Sequence, residues 1–285
     1  MTAPEKSWPT VILPVYNGAA VLPACFASLL RTLPERARVY LVDDASPDPA
    51  VAPLIEHFAN ALGGRVEVLR NPSNLGFVAT VNQAMGATTG DVVLLNSDTV
   101  VTPGWLEALS RCAASDPSIA TATPWSNNAE ICSMPEFCRS NPLPDDVDCV
   151  SAAVAEAARR SYPDLPTGVG FCMLVRRSAL DALGAFDSAT FGRGYGEEND
   201  FCRRAAGHGW RNVLCDDAYV AHVGHASFAG ENLAPGGVNQ TRLEARYPDY
   251  AKLVAEFIAA DPLQPLRDKI ARRLGANALP RSEAA

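Results

Sequence analysis

Three acidic stretches and one histidine carry the chemistry that this sequence could perform. A short apolar run, Asp91-Val92-Val93-Leu94-Leu95, passes into Asn96-Ser97-Asp98. A carboxylate therefore stands at what should be the carboxyl edge of a buried strand, the edge where open α/β sheets bind ligands. In that place Asp98 is a metal or ligand residue; taken alone, it serves as well to cap a helix beginning near Pro103. An earlier apolar run ends in Asp43-Asp44-Ala45-Ser46. One of its carboxylates can accept hydrogen bonds from a base N–H or a ribose hydroxyl, or it is an N-cap with a spare surface acid. Glu197-Glu198-Asn199-Asp200 puts three acids in four residues at a helix start, where acids also complement the macrodipole. His222 closes another short run, with His225 just after it. Imidazole is a borderline metal ligand that works beside carboxylate, while a lone histidine in a strand is usually structural.

The elements that must position these groups follow from periodicity. From Thr10 to about Thr123, β-rich runs alternate with helical spacing, the mark of βαβ units and a mainly parallel sheet. Strands are expected over 10–13, 39–42, 66–69, 92–95 and 119–122. A first helix presents Leu22, Cys25, Phe26, Leu29 and Leu30 on one face, and a second, after Asp48, presents Val51, Leu54, Ile55 and Phe58. A third starts near Gly76, and Pro103 suits the first turn of a fourth. The first strand leads into Pro14-Val15-Tyr16-Asn17-Gly18 at a helix start, where phosphates are well received and Tyr16 could stack on a base. The third leads into Asn71-Pro72-Ser73-Asn74-Leu75-Gly76, so successive strands end in polar loops on one sheet edge. The rhythm is lost over 125–166, read as a long connection or inserted subdomain with a helix near 152–160. Beyond it come a strand over 171–175, helices over 178–183 and 198–208, and short strands over 212–214 and 219–222. The tail after Gly230 ends in two helical stretches.

Composition narrows the class. A chain of 285 residues has room for one large α/β domain, and a net charge of −8 argues against a nucleic-acid surface, which needs clustered Lys and Arg. The one basic cluster, Arg267, Lys269, Arg272 and Arg273, reads as the solvated face of a C-terminal amphipathic helix, allowing at most peripheral contact with anionic lipid. The eight cysteines show no Cys-x-x-Cys pair and read as small core thiols in a reducing compartment. With no signal-like N-terminus and no apolar run of spanning length, the expected location is cytoplasmic. Asn239-Gln240-Thr241 fits a glycosylation acceptor pattern and is read as chance.

Four segments taken together say more than each does alone. Leu13-Pro14-Val15-Tyr16-Asn17, Val42-Asp43-Asp44-Ala45-Ser46, Asn74-Leu75-Gly76-Phe77 and Leu95-Asn96-Ser97-Asp98, in this order and spacing, resemble the nucleotide-sugar half of a family 2 glycosyltransferase. The fold implied is GT-A: α/β, with a Rossmann-like, mainly parallel central sheet flanked by helices and a smaller acceptor-side sheet region. By that resemblance Pro14, Tyr16 and Asp44 surround the nucleobase, with Asn17 beside them, and Asn74 and Gly76 lie near the base or ribose. Asn96 and Ser97 complete the donor site, and Asp98 binds a divalent cation, Mn²⁺ or Mg²⁺, on the diphosphate. The family often has Asp-x-Asp where this chain has Asn96-Ser97-Asp98, one anionic ligand instead of two.

The downstream half continues the likeness. Gly168-Val169-Gly170-Phe171-Cys172-Met173-Leu174-Val175-Arg176-Arg177 and Gly184-Ala185-Phe186-Asp187 resemble the stretch that floors the acceptor and donor-sugar pocket. Gly194-Tyr195-Gly196-Glu197-Glu198-Asn199-Asp200-Phe201 resembles the acidic segment before a helix whose second acid is the catalytic base. That position is Glu198 here, with Glu197 and Asp200 on the acceptor side. His222 matches a histidine that binds the metal or diphosphate, and Trp125 and Trp210 are either sugar-stacking rings or core. The resemblance runs over roughly 9–228 and implies a single domain over 1–230, divided into a nucleotide-sugar half (9–123) and an acceptor half (124–230), followed by a helical extension over 231–285. It implies an inverting enzyme that moves a sugar from a nucleoside-diphosphate sugar to an acceptor hydroxyl on a glycan or glycolipid, in surface polysaccharide or glycolipid assembly. A noncatalytic nucleotide-sugar or glycan-binding module is one alternative. A sugar nucleotidyltransferase is the other, although such enzymes usually open with a Gly-rich basic phosphate loop that this chain lacks after its first strand.

Overall fold

The computed structural model describes residues 8–224 and 237–275. Among them, eight strands form one sheet. β1 (Thr10–Val15) pairs in parallel with β2 (Val39–Asp43), and β2 with β3 (Val66–Arg70). On its other side β1 pairs in parallel with β4 (Val92–Leu95). β5 (Thr99–Val101) follows directly in the chain but sits at the far edge. β6 (Ile119–Trp125) and β7 (Cys172–Val175) complete the middle, and β7 runs antiparallel to both β4 and β6. β8 (Arg211–His222) lies parallel to β6 and carries β5 antiparallel on its outer half, a small two-stranded region beyond the main sheet. The order is β3-β2-β1-β4-β7-β6-β8-β5.

Strand alternation sorts the core into two layers. Val11, Leu13 and Val15 of β1 face the layer that holds α1 (Leu22–Thr32), α2 (Val51–Leu62), α4 (Trp105–Ser115) and α5 (Val147–Ala157). Ile12 faces the opposite layer, with α3 (Phe77–Ala87), α6 (Arg177–Leu183) and α8 (Glu197–Gly207). Both faces are covered, which is why β1, β2 and β4 read as continuous apolar runs and not as alternating ones. A short α7 (Ser188–Phe191) links α6 to α8, and α9 (Val238–Arg246), α10 (Tyr250–Ala260) and α11 (Gln264–Leu274) end the described chain. Leu263 and Ile270, at and within α11, join the first layer, and Leu243 and Tyr250 pack on Phe191.

Several sequence expectations are corrected here. The described tail holds three helices, not two. Strands 212–214 and 219–222 are one strand, β8. Between the two expected runs lie Asp216 and Asp217, acids that are costly to bury without partners. Asp217 has them in Arg111 (2.6 Å) and Arg160 (3.0 Å), and Asp216 accepts the Arg159 and Ser161 N–H groups. α5 begins at Val147, earlier than expected, because the Asp146 carboxylate caps it by accepting from the Asp148 and Cys149 N–H groups. α4 starts at Trp105 behind Gly104 in the left-handed region, leaving Pro103 ahead of the helix. Leu30 faces solvent instead of the core. β5 had no sequence signal, being only three residues long and fused to the end of the β4 loop.

Candidate functional site

The carboxyl ends of β1, β2 and β4 meet at one pocket. Pro14, Tyr16, Asp44, Asn74, Gly76, Asn96 and Ser97 all line it, as does Arg193, which the sequence reading missed. Asp44 is buried and builds the wall: its carboxylate accepts from the Asn71 amide (2.7 Å), the Leu75 N–H (2.9 Å) and the Gly76 N–H (2.8 Å). A carboxylate has about four acceptor positions, so most of its capacity goes to holding the 71–76 loop and one position is left for a ligand. Gly76 then opens α3 with φ +83°, where a Cβ would stand 2.9 Å from the Arg193 Cα. Asn17 falls outside the pocket wall. Its N–H donates to Ser46 Oγ (2.9 Å) and its side-chain oxygen accepts the Asp48 N–H (3.2 Å), so it braces the loop after β2.

Asp98 and His222 stand together one step along the same edge. The β5–β8 register sets Thr99 opposite His222, and the Val223 N–H donates to the Asp98 carbonyl at 2.9 Å. His222 Nε2 lies 3.4 Å from Asp98 Oδ1 and makes no hydrogen bond, although it is buried. Its Nδ1 contacts the Asn128 carbonyl at 2.7 Å, which fixes the proton on Nδ1 and leaves Nε2 with a lone pair. The Asn127 amide clasps the His222 backbone at both N–H and C=O, and the Phe171 ring stacks on the imidazole at 5.1 Å. Burial disfavours the imidazolium, but the Asp98 carboxylate outweighs it and holds the His222 pKa above its ordinary value.

This pair suits a divalent cation. Two ligands at adjacent corners of an octahedral ion, each about 2.1 Å away, are about 3 Å apart. The observed separation needs little adjustment. Among the described residues no cluster of three or more His, Cys, Asp or Glu side chains is arranged to hold a metal ion. The protein's share would be two ligands, as is usual for Mg²⁺-type sites completed by phosphate oxygens and water.

The acidic segment comes near the Asp98–His222 pair, with Tyr195 feeling the charges of both. Gly194, Tyr195 and Gly196 all have positive φ, and this left-handed run delivers Glu197 and Glu198 as the first residues of α8. Glu198 packs beside Gly170, where an added Cβ would lie 3.8 Å from its Cγ, and its Oε2 accepts the Gly196 N–H at 3.3 Å. The next residue, Phe171, accepts the Asn96 N–H at 2.8 Å, so one short segment ties the acid to the end of β4. Burial raises Glu198 to about 7, against the pull of the helix-start amides. Burial and the neighbouring Glu198 raise Glu197 well above the carboxylate range. Burial raises the Tyr195 hydroxyl, and the surrounding Glu198, Glu197, Asp98 and Glu130 carboxylates push it the same way. The metal pair and the acid pair thus border one ring.

Other expected residues are placed elsewhere. Asp200, expected beside the acceptor, is fully buried and bonded to Arg204 (2.8 Å), Arg246 (2.7 Å) and the Tyr247 hydroxyl (2.9 Å). Trp125 is core, with no exposed surface, and Trp210 packs on the second layer beyond α8. Asn239 is also buried, its amide donating to the Phe191 and Gly194 carbonyls that support the left-handed run. The basic cluster is dispersed: Arg267 is buried over Phe137 and paired with Asp261, while Lys269 donates to the Ala157 carbonyl. Six of the eight cysteines are buried, and Cys149 is exposed. His225 lies outside the described residues. Among the described residues no helix is long and apolar enough to cross a membrane.

The chain is 29% identical over 254 residues to a pre-mycofactocin glycosyltransferase of Mycobacterium tuberculosis, covering 84% of this chain and 48% of that protein. It thus spans about half the length of that relative. It is 27% identical over 241 residues to an N-acetylglucosaminyl-diphospho-decaprenol L-rhamnosyltransferase of the same organism, covering 75% of this chain and 76% of that one. The fold matches the crystal structure of GalNAc-T7 with UDP, GalNAc and Mn²⁺ at a TM-score of 0.64 and 15% identity, over 92% of this chain and 55% of that one. The architecture is that of the GT-A glycosyltransferases. The family model for glycosyl transferase family 2 matches residues 10–184, from β1 through α6, and this chain is a member of that family.

Proposed function

We propose that the protein transfers a sugar, with inversion, from a nucleoside-diphosphate sugar to an acceptor hydroxyl. One observation carries this reading: a pocket walled by Pro14, Tyr16, Asp44, Asn74 and Ser97 adjoins the Asp98–His222 pair, and the Tyr195 hydroxyl lies in the field of both Asp98 and Glu198, a carboxyl titrating near 7. Tyr16 and the Asp44-held loop receive the base and ribose, which places the diphosphate against Asn96, Ser97 and Asp98. Asp98 and His222 Nε2 would hold a divalent cation, which supplies Lewis-acid stabilisation of the leaving diphosphate. Glu198 takes the proton of the attacking hydroxyl. A base is most effective when its pKa lies close to the working pH, and burial has brought Glu198 there. Attack comes from the face of the anomeric carbon opposite the diphosphate, so configuration inverts.

The nucleotide-sugar half then corresponds to 9–123 and the acceptor half to 124–230, with the end of α9 fastened to α8 through Arg246 and Asp200. The acceptor is assigned to a glycan or glycolipid in surface polysaccharide or glycolipid assembly. The second relative's name, which describes transfer onto a lipid-linked sugar diphosphate, supports that class. The neighbour with UDP, GalNAc and Mn²⁺ supports the donor and cation classes. A cytoplasmic site of action fits eight cysteines that are all free thiols.

A thermal-shift panel of UDP-, GDP- and dTDP-sugars, each with and without Mn²⁺, tests the reading. One nucleotide series should raise the melting temperature, and more so with Mn²⁺. A ligand at a hundred times its Kd stabilises by about 2.7 kcal/mol, well within reach of the assay. A flat response to all three series would remove the donor-site assignment.

A further inference from the structure

Among its described lining residues the pocket has one basic side chain. A nucleoside diphosphate brings two or more negative charges into a crevice already bordered by Asp98, Glu197 and Glu198. Helix-start amides are the usual counterweight, but here those nearest the pocket are occupied. The Leu75 and Gly76 N–H groups donate to Asp44, and the Phe77 N–H donates to the Arg193 carbonyl at 3.2 Å. Among the described residues that line the pocket, Arg193 is the only basic one. Its guanidinium is exposed and held in place by Asn74 Oδ1 at 2.6 Å.

We propose that Arg193 is the phosphate-binding residue of the donor pocket, its guanidinium pairing with the diphosphate oxygens; this rests on the donor-pocket reading above. The planar fork of arginine suits bidentate pairing with phosphate oxygens, and the side-chain oxygen of Asn74 orients it. The same residue sits within the run Gly192–Gly196, where Gly192, Gly194, Tyr195 and Gly196 all have positive φ and Glu197 follows at once. The chain at Arg193 also touches the donor side through its backbone: its carbonyl receives Phe77, and its Cα crowds Gly76. A phosphate held by this guanidinium is therefore anchored to the loop that presents the acid pair. Donor binding and placement of Glu198 become one event.

Calorimetric titration of the full chain tests this. Wild type is titrated with the nucleoside, the nucleoside monophosphate and the nucleoside diphosphate of whichever of uridine, guanosine or thymidine binds, in EDTA and again with Mn²⁺. The quantity read is the ratio of diphosphate to nucleoside affinity, which a general loosening of the pocket does not change. In EDTA that ratio should fall at least tenfold in Arg193→Met and fall less in Arg193→Lys, which keeps a point charge. An unchanged ratio in Arg193→Met, with both affinities lowered equally or not at all, overturns the proposal and leaves the donor pocket standing. Failure of wild type to bind any of the three diphosphates overturns the pocket reading and this inference with it.

Discussion

Replacing Glu198 with glutamine keeps the shape of the side chain and removes its ionisation, so its effect on stability and on rate can be worked out separately. In the folded chain this carboxyl titrates at about 7, whereas an unfolded glutamate titrates at about 4.3. The folded state holds the proton more tightly, so the stability due to the protonated carboxyl is complete below about pH 4 and is lost as pH rises through about 7. A rise of that size corresponds to about 3–4 kcal/mol at full expression. Glu198 is half-buried, and solvent screening reduces this to about 1–2 kcal/mol. Glutamine escapes the loss. Glu198→Gln should therefore melt about 2–4 °C above wild type at pH 8.5 and level with it at pH 5. Relief of Glu197 from a second charge acts in the same direction. Transfer behaves oppositely. Wild-type turnover should climb with pH through about 7 as the base is freed, and the variant should lose roughly 10²–10⁴-fold while still binding nucleotide. Melting curves across pH 5–8.5 and a transfer assay on the same preparations decide the matter. A stability difference that does not vary with pH would refute the buried-carboxyl argument, and near-normal turnover would take Glu198 out of the base role.

Three further outcomes follow from the geometry. Asp98→Asn and His222→Ala should each abolish the Mn²⁺-dependent part of nucleotide affinity and spare the part measured in EDTA; equal Mn²⁺ dependence in variant and wild type would dissolve the metal pair. Asp44→Ala strands the Asn71 amide and the Leu75 and Gly76 N–H groups, which should cost about 2–4 kcal/mol in denaturant unfolding and weaken nucleoside binding. A cost under about 0.5 kcal/mol would show that the loop does not need its carboxylate. Asp200→Ala leaves two arginines and a tyrosine without their buried acceptor. Unfolding should become easier by about 2–3 kcal/mol, reduced from the fully buried case because both arginines reach solvent, and unchanged stability would deny the clasp.

The donor half was legible because its signals are local. β1, β2 and β4 are each a continuous apolar run ending in polar residues, and in a parallel sheet all such ends arrive at one edge, so Tyr16, Asp44 and Asp98 could be grouped before any coordinates were known. The acceptor half was less so. Arg193 carries no periodic signal; its importance comes from a left-handed loop whose destination is set by Asn239 and Gly76, residues distant in sequence. Asn127 and Asn128 lay in a stretch without rhythm, yet they fix the orientation of His222. Asp200 looked functional because it lies two residues from a proposed base, and only the fold shows Arg204, Arg246 and Tyr247 converging on it. Trp125 was ambiguous for a similar reason, since a ring beside a polar loop can turn either way and here it turns inward.

The bonding of Asp200 bears on how such a chain can be divided. The family match stops at residue 184, before the acidic segment, α8 and His222. The helix that presents Glu198 is fastened through Asp200 to Arg246 and Tyr247, at and just past the end of α9. A hybrid joined near residue 230 would take the acid from one parent and its fastening from the other. A junction placed after Tyr247 would inherit both together, and so would carry the reacting end of the crevice as a single heritable unit.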